Sequence, residues 1–241
     1  MLVKTGIDRL DELLKGGIPT KSNVLIYANP FIGKDILLKR FAAAGLQNGD
    51  GVIFVLTDKS FSEMREEMIK IEPRFSEFEE KGMVRYIDIY SPTVELKEKS
   101  KWAIFVDSPV NRERIAYSIL QAHKEMENDR HRVIFDSLST LIVYSDAKAV
   151  FRFLQVLSGT CKRMNTTSIF SMTRGMHEEI EVQTIKHLMD GVIELREKEA
   201  RFQLRVQGCG EVISRHWIDY LLEEKENEIR LTGAFRMGRV A

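Results

Sequence analysis

The stretch Tyr27-Ala28-Asn29-Pro30-Phe31-Ile32-Gly33-Lys34-Asp35 constrains this chain more than any other. The apolar run Val24-Leu25-Ile26 precedes it, and the helical-looking run Ile36-Leu37-Leu38-Lys39-Arg40-Phe41 follows. Strand, tight loop, lysine and helix is the order of a phosphate-binding loop, whose pattern is G-x-x-x-x-G-K-[ST]. Gly33 and Lys34 match the second glycine and the lysine. Ala28 stands at the first glycine and Asp35 at the hydroxyl residue. The stretch therefore reads either as a working nucleotide site or as what remains of one.

The surrounding pattern supports an α/β layout. Leu10, Leu13 and Leu14 share one helical face, and Gly16-Gly17 stops that turn. Strands are expected over 23–27, 52–56, 84–90, 131–136 and 166–172. Helices are expected over 33–47, 62–71, 111–128 and 147–164. The continuous apolar run Val52-Ile53-Phe54-Val55-Leu56 suits a strand covered on both faces. Residues 91–109 fit least well and read as a surface excursion, with 102–106 either a short strand or a loop cluster. A polar stretch, 175–186, precedes short alternating segments at 191–196, 202–206, 216–221 and 228–231, which suit antiparallel pairing. The expected fold is a mainly parallel twisted sheet flanked by helices, with a C-terminal antiparallel β extension, as a single domain over residues 1–241.

Composition narrows the function. Lys+Arg and Asp+Glu both total 36, so the net charge is zero and no global field draws the chain to nucleic acid or anionic membrane. Cys161 and Cys209 form no C-x-x-C pair, which excludes a zinc set and a disulfide framework; Cys161 is expected in the core. No run approaches the ~20 apolar residues of a membrane span. Residues 1–5 are too short and too quickly polar for a signal peptide. A cytoplasmic protein is expected, and the 30% charged residues lean toward a thermophile.

His123, His131, His177, His187 and His216 lack metal-ligand spacing and are expected at surfaces or interfaces. Met164, Met172 and Met176 read as core filler, and 194–199 as a solvated hairpin end. Arg230, Arg236 and Arg239 make a modest basic tail.

Three further motifs stand in order around the loop. They are Thr5-Gly6-Ile7 with Leu10-Asp11-Glu12-Leu13-Leu14 and Gly16-Gly17-Ile18-Pro19; then Val133-Ile134-Phe135-Asp136-Ser137-Leu138-Ser139; then Asp190-Gly191-Val192-Ile193-Glu194-Leu195. With them the chain resembles the KaiC-like branch of the RecA superfamily of P-loop ATPases over nearly its whole length. The resemblance implies a RecA-like fold, ATP or ADP and Mg²⁺ as ligands, and ring or filament assembly as a homo-oligomer. It implies phosphate contacts at Ala28, Asn29, Pro30, Phe31, Ile32, Gly33, Lys34 and Asp35. It also makes Asp136, at the end of the Walker B strand, the residue that holds Mg²⁺ through water.

Against that pattern the chain departs in several places. A bulky residue at 31 or 32 forced to positive φ costs on the order of 1–3 kcal/mol. Asp35 replaces a neutral Mg²⁺ ligand with a carboxylate, and a unit charge about 4 Å from another is worth roughly 4 kcal/mol at a dielectric near 20. Asp35 is either a second metal ligand or a helix-capping residue paired with Lys34. Asp58 and Lys59 occupy the places of an adjacent glutamate pair, leaving Asp58 as the candidate catalytic carboxylate. Lys59 is then a partner of Asp58 or Asp136, a phosphate contact or a solvated lysine. The family's K-x-R-G-like hairpin, which reaches a neighbour's γ-phosphate, corresponds to 205–208: Arg205 stays cationic, but neutral Gln207 replaces the arginine finger.

The reading that follows is a regulatory or assembly protein that binds nucleotide weakly or not at all, with a protein partner in signalling or assembly. Two alternatives stand beside it: a slow ATPase using Lys34, Asp58, Asp136 and Arg205, and an accessory protein of DNA recombination acting through the basic tail.

Overall fold

The computed structural model describes residues 1–233 and residue 235. It opens with β1 (Leu2–Val3), α1 (Asp8–Leu13) and β2 (Ile18–Pro19), the two strands pairing antiparallel around the helix. Gly17, at φ 135°, must be glycine, because a Cβ there would lie 2.2 Å from the Val3 carbonyl oxygen. The alternating part follows: β3 (Asn23–Ala28), α2 (Lys34–Gln47), β4 (Gly51–Leu56), α3 (Phe61–Ile71), α4 (Phe75–Glu80), β5 (Val84–Asp88), α5 (Tyr90–Thr93) and β6 (Ala103–Phe105). It continues with α6 (Arg112–Glu125), β7 (His131–Asp136), α7 (Leu138–Val143), α8 (Ala147–Arg163), β8 (Thr166–Thr173) and α9 (Glu179–Lys186). The chain then turns to β9 (Gly191–Lys198), β10 (Arg201–Gly208), β11 (Ile218–Glu223) and β12 (Glu228–Leu231).

Ten strands form one sheet, in the order β12-β11-β10-β9-β3-β8-β7-β4-β5-β6. From β9 across to β6 every pairing is parallel, whereas β10, β11 and β12 add antiparallel at the other edge. This is the mainly parallel sheet with a C-terminal antiparallel extension that the alternating pattern predicts. β3, β4 and β7 are buried along their whole length, as strands covered on both faces must be. Because side chains alternate along a strand, Val24 and Ile26 join the core beneath α1, α2, α3 and α4. Leu25 and Tyr27 join the core beneath α6, α7, α8 and α9.

Several expectations are corrected. Residues 91–109 depart only in part from a surface excursion: 94–101 is mostly exposed, whereas within 102–106 the short strand is found, as β6 pairs with β5, and Ser91 and Val106 are buried. The strand expected over 84–90 ends at Asp88, whose carboxylate accepts the N–H groups of Phe61 (2.9 Å) and Ser91 (2.8 Å) and so turns the chain into α5. Helix α3 begins at a capping box formed by Ser60 and Glu63 rather than at Ser62. The polar stretch 175–186 contains α9, which buries only Val182 and Ile185, too few residues to show a period. His131 is buried, its ring 4.2 Å from that of His123. Met172 is in the core, while Met176 is exposed.

Cys161 and Cys209 are buried and free. Of the basic tail, Arg230 pairs with Glu223 at 3.1 Å, while Arg236 and Arg239 lie outside the described residues. Among the described residues no helix is long and apolar enough to cross a membrane.

Candidate functional site

The site forms outside the carboxyl ends of β3, β4 and β7, the side of an open α/β sheet where ligands bind. Ala28 ends β3 in strand geometry, paired with Thr173 and Leu195, so the absent first glycine leaves no strained residue there. Phe31 (φ 62°) and Gly33 (φ 94°) take left-handed backbone. The strain expected of a bulky loop residue therefore falls on Phe31, whose ring is 96% exposed and constrained by nothing around it. Gly33 is the N-cap of α2, and a Cβ there would meet Leu222 Cδ1 at 2.8 Å. Ile32 is buried, and its carbonyl accepts the Tyr220 hydroxyl at 2.6 Å. The antiparallel extension thus holds the loop from behind.

Among the described residues, the N–H groups of residues 31–36 find no acceptor. Consecutive unpaired N–H groups at the start of a 14-residue helix make a cradle for an anion. A cleft of about 420 Å³ opens over them, bordered by Asn29, Phe31, Lys34, Asp35 and Lys39.

A chain of ion pairs starts at the cleft's Lys34, Asp35 and Lys39 and runs back to Asp136, Lys59 and Glu67. Lys34 Nζ lies 3.2 Å from Asp136 Oδ1, which also accepts the Ser171 hydroxyl at 2.8 Å. Lys34 stands 4.0 Å from Asp35 Oδ1, and Lys59 Nζ stands 3.8 Å from Asp35 Oδ2. Lys59 is anchored on Glu67 at 2.8 Å, and Lys39 meets the same carboxylate at 3.0 Å. Burial works against the charge on Lys34, but Asp136 and Asp35 outweigh it and raise its pKa above the ordinary lysine value. Burial likewise opposes the charge on Lys59, and Glu67 and Asp35 raise its pKa. Burial pushes Glu67 up, but its bonds to Lys59 and Lys39 bring it below the usual carboxylate value. Both lysines are therefore ammonium ions at neutral pH.

Asp35 does not cap the helix. Gly33 is the N-cap without a side-chain bond, and Asp35 sits inside the first turn, where its charge suits the helix dipole. Asp58 accepts the Thr57 hydroxyl at 3.1 Å and the Thr140 hydroxyl of α7.

Arg205 is not brought to this cleft. It lies between Leu204 and Val206, which face the α2-side core, so its side chain takes the opposite face of the sheet. There it donates to Glu194 Oε2 at 2.6 Å, directly across the β9–β10 ladder, and its guanidinium stands 4.5 Å from the Trp217 ring centre. Glu194, expected in a solvated hairpin end, is 2% exposed and also receives Lys186 at 2.6 Å and Arg174 at 3.6 Å. Lys39, Glu67, Ser171 and Tyr220 escaped the sequence reading. Each joins the site through a contact across the fold, and none carries a local motif.

The model of the KaiC ATPase family matches residues 3–209. This chain belongs to the KaiC ATPase family. A UPF0273 protein of Thermotoga maritima is 30% identical over 198 residues, covering 80% of this chain and 78% of the relative. A UPF0273 protein of Pyrococcus furiosus is 29% identical over 228 residues, with 90% of each chain covered. One from Methanopyrus kandleri is 28% identical over 226 residues, covering 89% of this chain and 86% of the relative. The crystal structure of a KaiC-like protein from the hyperthermophilic archaeon Pyrococcus horikoshii OT3 superposes with a TM-score of 0.75, over 97% of this chain and 99% of that one. At 18% identity that likeness establishes the fold.

Membership in the KaiC family implies nucleotide and Mg²⁺ at this cleft. Nucleotide phosphate fits the residues present: the unpaired N–H groups and the Lys34 ammonium are donors aimed at an anion. Mg²⁺ does not fit them. Of its two oxygen ligands, Asp136 already carries Lys34, and Asp35 stands between Lys34 and Lys59. A divalent ion about 5 Å from one ammonium is repelled by roughly 7 kcal/mol at a dielectric near 20.

Proposed function

We propose that this KaiC-family chain is a regulatory or assembly protein that takes up nucleotide phosphate weakly at the Lys34 loop and does not sustain its hydrolysis. The observation that carries this reading is the ion pair between Asp35 and Lys59, at 3.8 Å. In the family pattern those two places hold a hydroxyl that binds Mg²⁺ and a member of the glutamate pair of which one works on water. Here they hold opposite charges that face each other, so the two departures compensate electrostatically and neither original role survives. A lysine with a raised pKa has no lone pair to take a proton from water at neutral pH. Asp58 is the shorter carboxylate, already accepting two hydroxyls.

Arg205 is committed to the buried Glu194, and Gln207 brings no charge to a neighbour's γ-phosphate. An arginine finger accelerates transfer by neutralising charge in the transition state, and this chain lacks that means. In this reading residues 1–241 work as one domain in the cytoplasm. Assembly with further copies or with a protein partner is the output that nucleotide would influence. The alternative of DNA recombination rests on Arg236 and Arg239, outside the described residues, and gains no support from the cleft.

A phosphate-release assay with ATP and Mg²⁺ tests this reading. The expected rate is indistinguishable from that of the Lys34→Ala variant. Sustained turnover that Lys34→Ala abolishes would reject the reading and favour the slow ATPase.

A further inference from the structure

We propose that Lys59 takes the place of the divalent cation, so that the Lys34 loop binds the phosphates of a nucleotide without Mg²⁺. This rests on the reading above that the loop takes up nucleotide, and it goes beyond it by assigning the counter-charge. The geometry makes the case through Asp35. Its two carboxylate oxygens stand 4.0 Å from the Lys34 ammonium and 3.8 Å from the Lys59 ammonium. Both separations are longer than a hydrogen bond, and the Asp35 side chain is 51% exposed. Asp35 is thus an anion held loosely between two cations, at the mouth of a cradle of unpaired N–H groups.

The two ammonium groups are held far more firmly than the carboxylate between them. Lys34 is tied to Asp136 at 3.2 Å. Lys59 donates to both oxygens of Glu67, at 2.8 and 2.9 Å. Both side chains are 16% exposed. An incoming phosphate needs only to swing Asp35 outward to face two preset cations and the loop's N–H groups. A divalent metal ion would serve the same electrostatic purpose, and the ammonium of Lys59 would repel it from that place. In this assignment Asp35 occupies the phosphate position when no ligand is bound. Nothing is transferred or oxidised, and the step is an exchange of one anion for another.

Calorimetric titration of the full chain with ATP, once in EDTA and once in Mg²⁺, tests the proposal. Binding at least as tight in EDTA as in Mg²⁺ is the expected result. In EDTA, Lys59→Gln is expected to weaken it by roughly tenfold or more, the scale of one charge-assisted hydrogen bond, and Lys59→Arg to retain it. Asp35→Ser with Lys59→Glu, which puts the family's residue types back at those two places, is expected to make binding depend on Mg²⁺. The melting temperature of each unliganded variant verifies that it folds, and Lys59→Arg controls for any loss of packing.

Binding seen only with Mg²⁺, or binding that Lys59→Gln leaves unchanged, overturns this proposal while the low-turnover reading stands. Absence of binding in both buffers overturns it together with the claim of nucleotide uptake. Fast turnover in the phosphate-release assay overturns the low-turnover reading by itself.

Discussion

Asp35 and Glu194 are both carboxylates set among cations, and the contrast between them separates adaptable charge from structural charge. Asp35 is half exposed, and its lysines stand 3.8 and 4.0 Å away. Glu194 is buried under Lys186 and Arg205, each at 2.6 Å, with Arg174 at 3.6 Å. Burial pushes the Glu194 carboxyl up, but its bonds to Lys186 and Arg205 bring it below the usual value. A buried charge that loses its partners keeps the full cost of desolvation, whereas an exposed one turns to water. The same residue chemistry therefore locks β9 to β10 in one place and leaves a displaceable anion in the other.

Removing each carboxylate measures that contrast. Glu194→Ala leaves three cations without their shared partner and is expected to destabilise the fold by about 3 kcal/mol or more. The urea midpoint reads this loss, and a change under 1 kcal/mol would place Glu194 with Asp35 among the exposed pairs.

Acid probes a third, unpaired site. His131 has no hydrogen-bond partner on either ring nitrogen among the described residues, and burial beside His123 lowers its pKa to about 4. The folded chain therefore resists a proton that the unfolded chain accepts near its ordinary value of 6.5. Stability is full above pH 6.5 and falls as the pH drops toward 4, by up to about 3 kcal/mol. His131→Gln is expected to flatten that part of the pH profile. The loss arising from Glu194 sets in only below its ordinary value of 4.5, so the two sites separate along the pH axis.

Asp35→Asn should have the smallest effect. Loss of an exposed pair and of a helix-dipole contact amounts to about 1 kcal/mol in thermal unfolding. A much larger loss would mean that Asp35 is part of the scaffold and does not swing aside.

The sequence carried the layout where a local pattern has a direct physical meaning. The apolar runs at 52–56 and 131–136 are buried strands because they lie inside the sheet. Gly33 and Lys34 sit at the turn into α2 because a left-handed N-cap there leaves the following N–H groups open. Its errors fell where the deciding partner is distant. Residues 102–106 read equally as a short strand or a loop cluster because nothing among their neighbours shows that β5 is beside them. Glu194 read as solvated from its charged neighbours 196–199, yet its own side chain lies under Lys186, Arg174 and Arg205.

The same division runs through the loop. From Tyr27 to Asp35, residue identities alone determined the strand–turn–helix order and the departures from the family pattern, because each depends on residues a few positions apart, whereas the open cradle also rests on Tyr220 and Leu222 behind it. That Asp35 stands between Lys34 and Lys59, and that Glu67 anchors Lys59, only the tertiary structure decided. Electrostatic pairing depends on distance in space, and the crossings β3–α2–β4 and β4–α3–β5 bring Asp35, Lys59 and Glu67 into one chain of ion pairs.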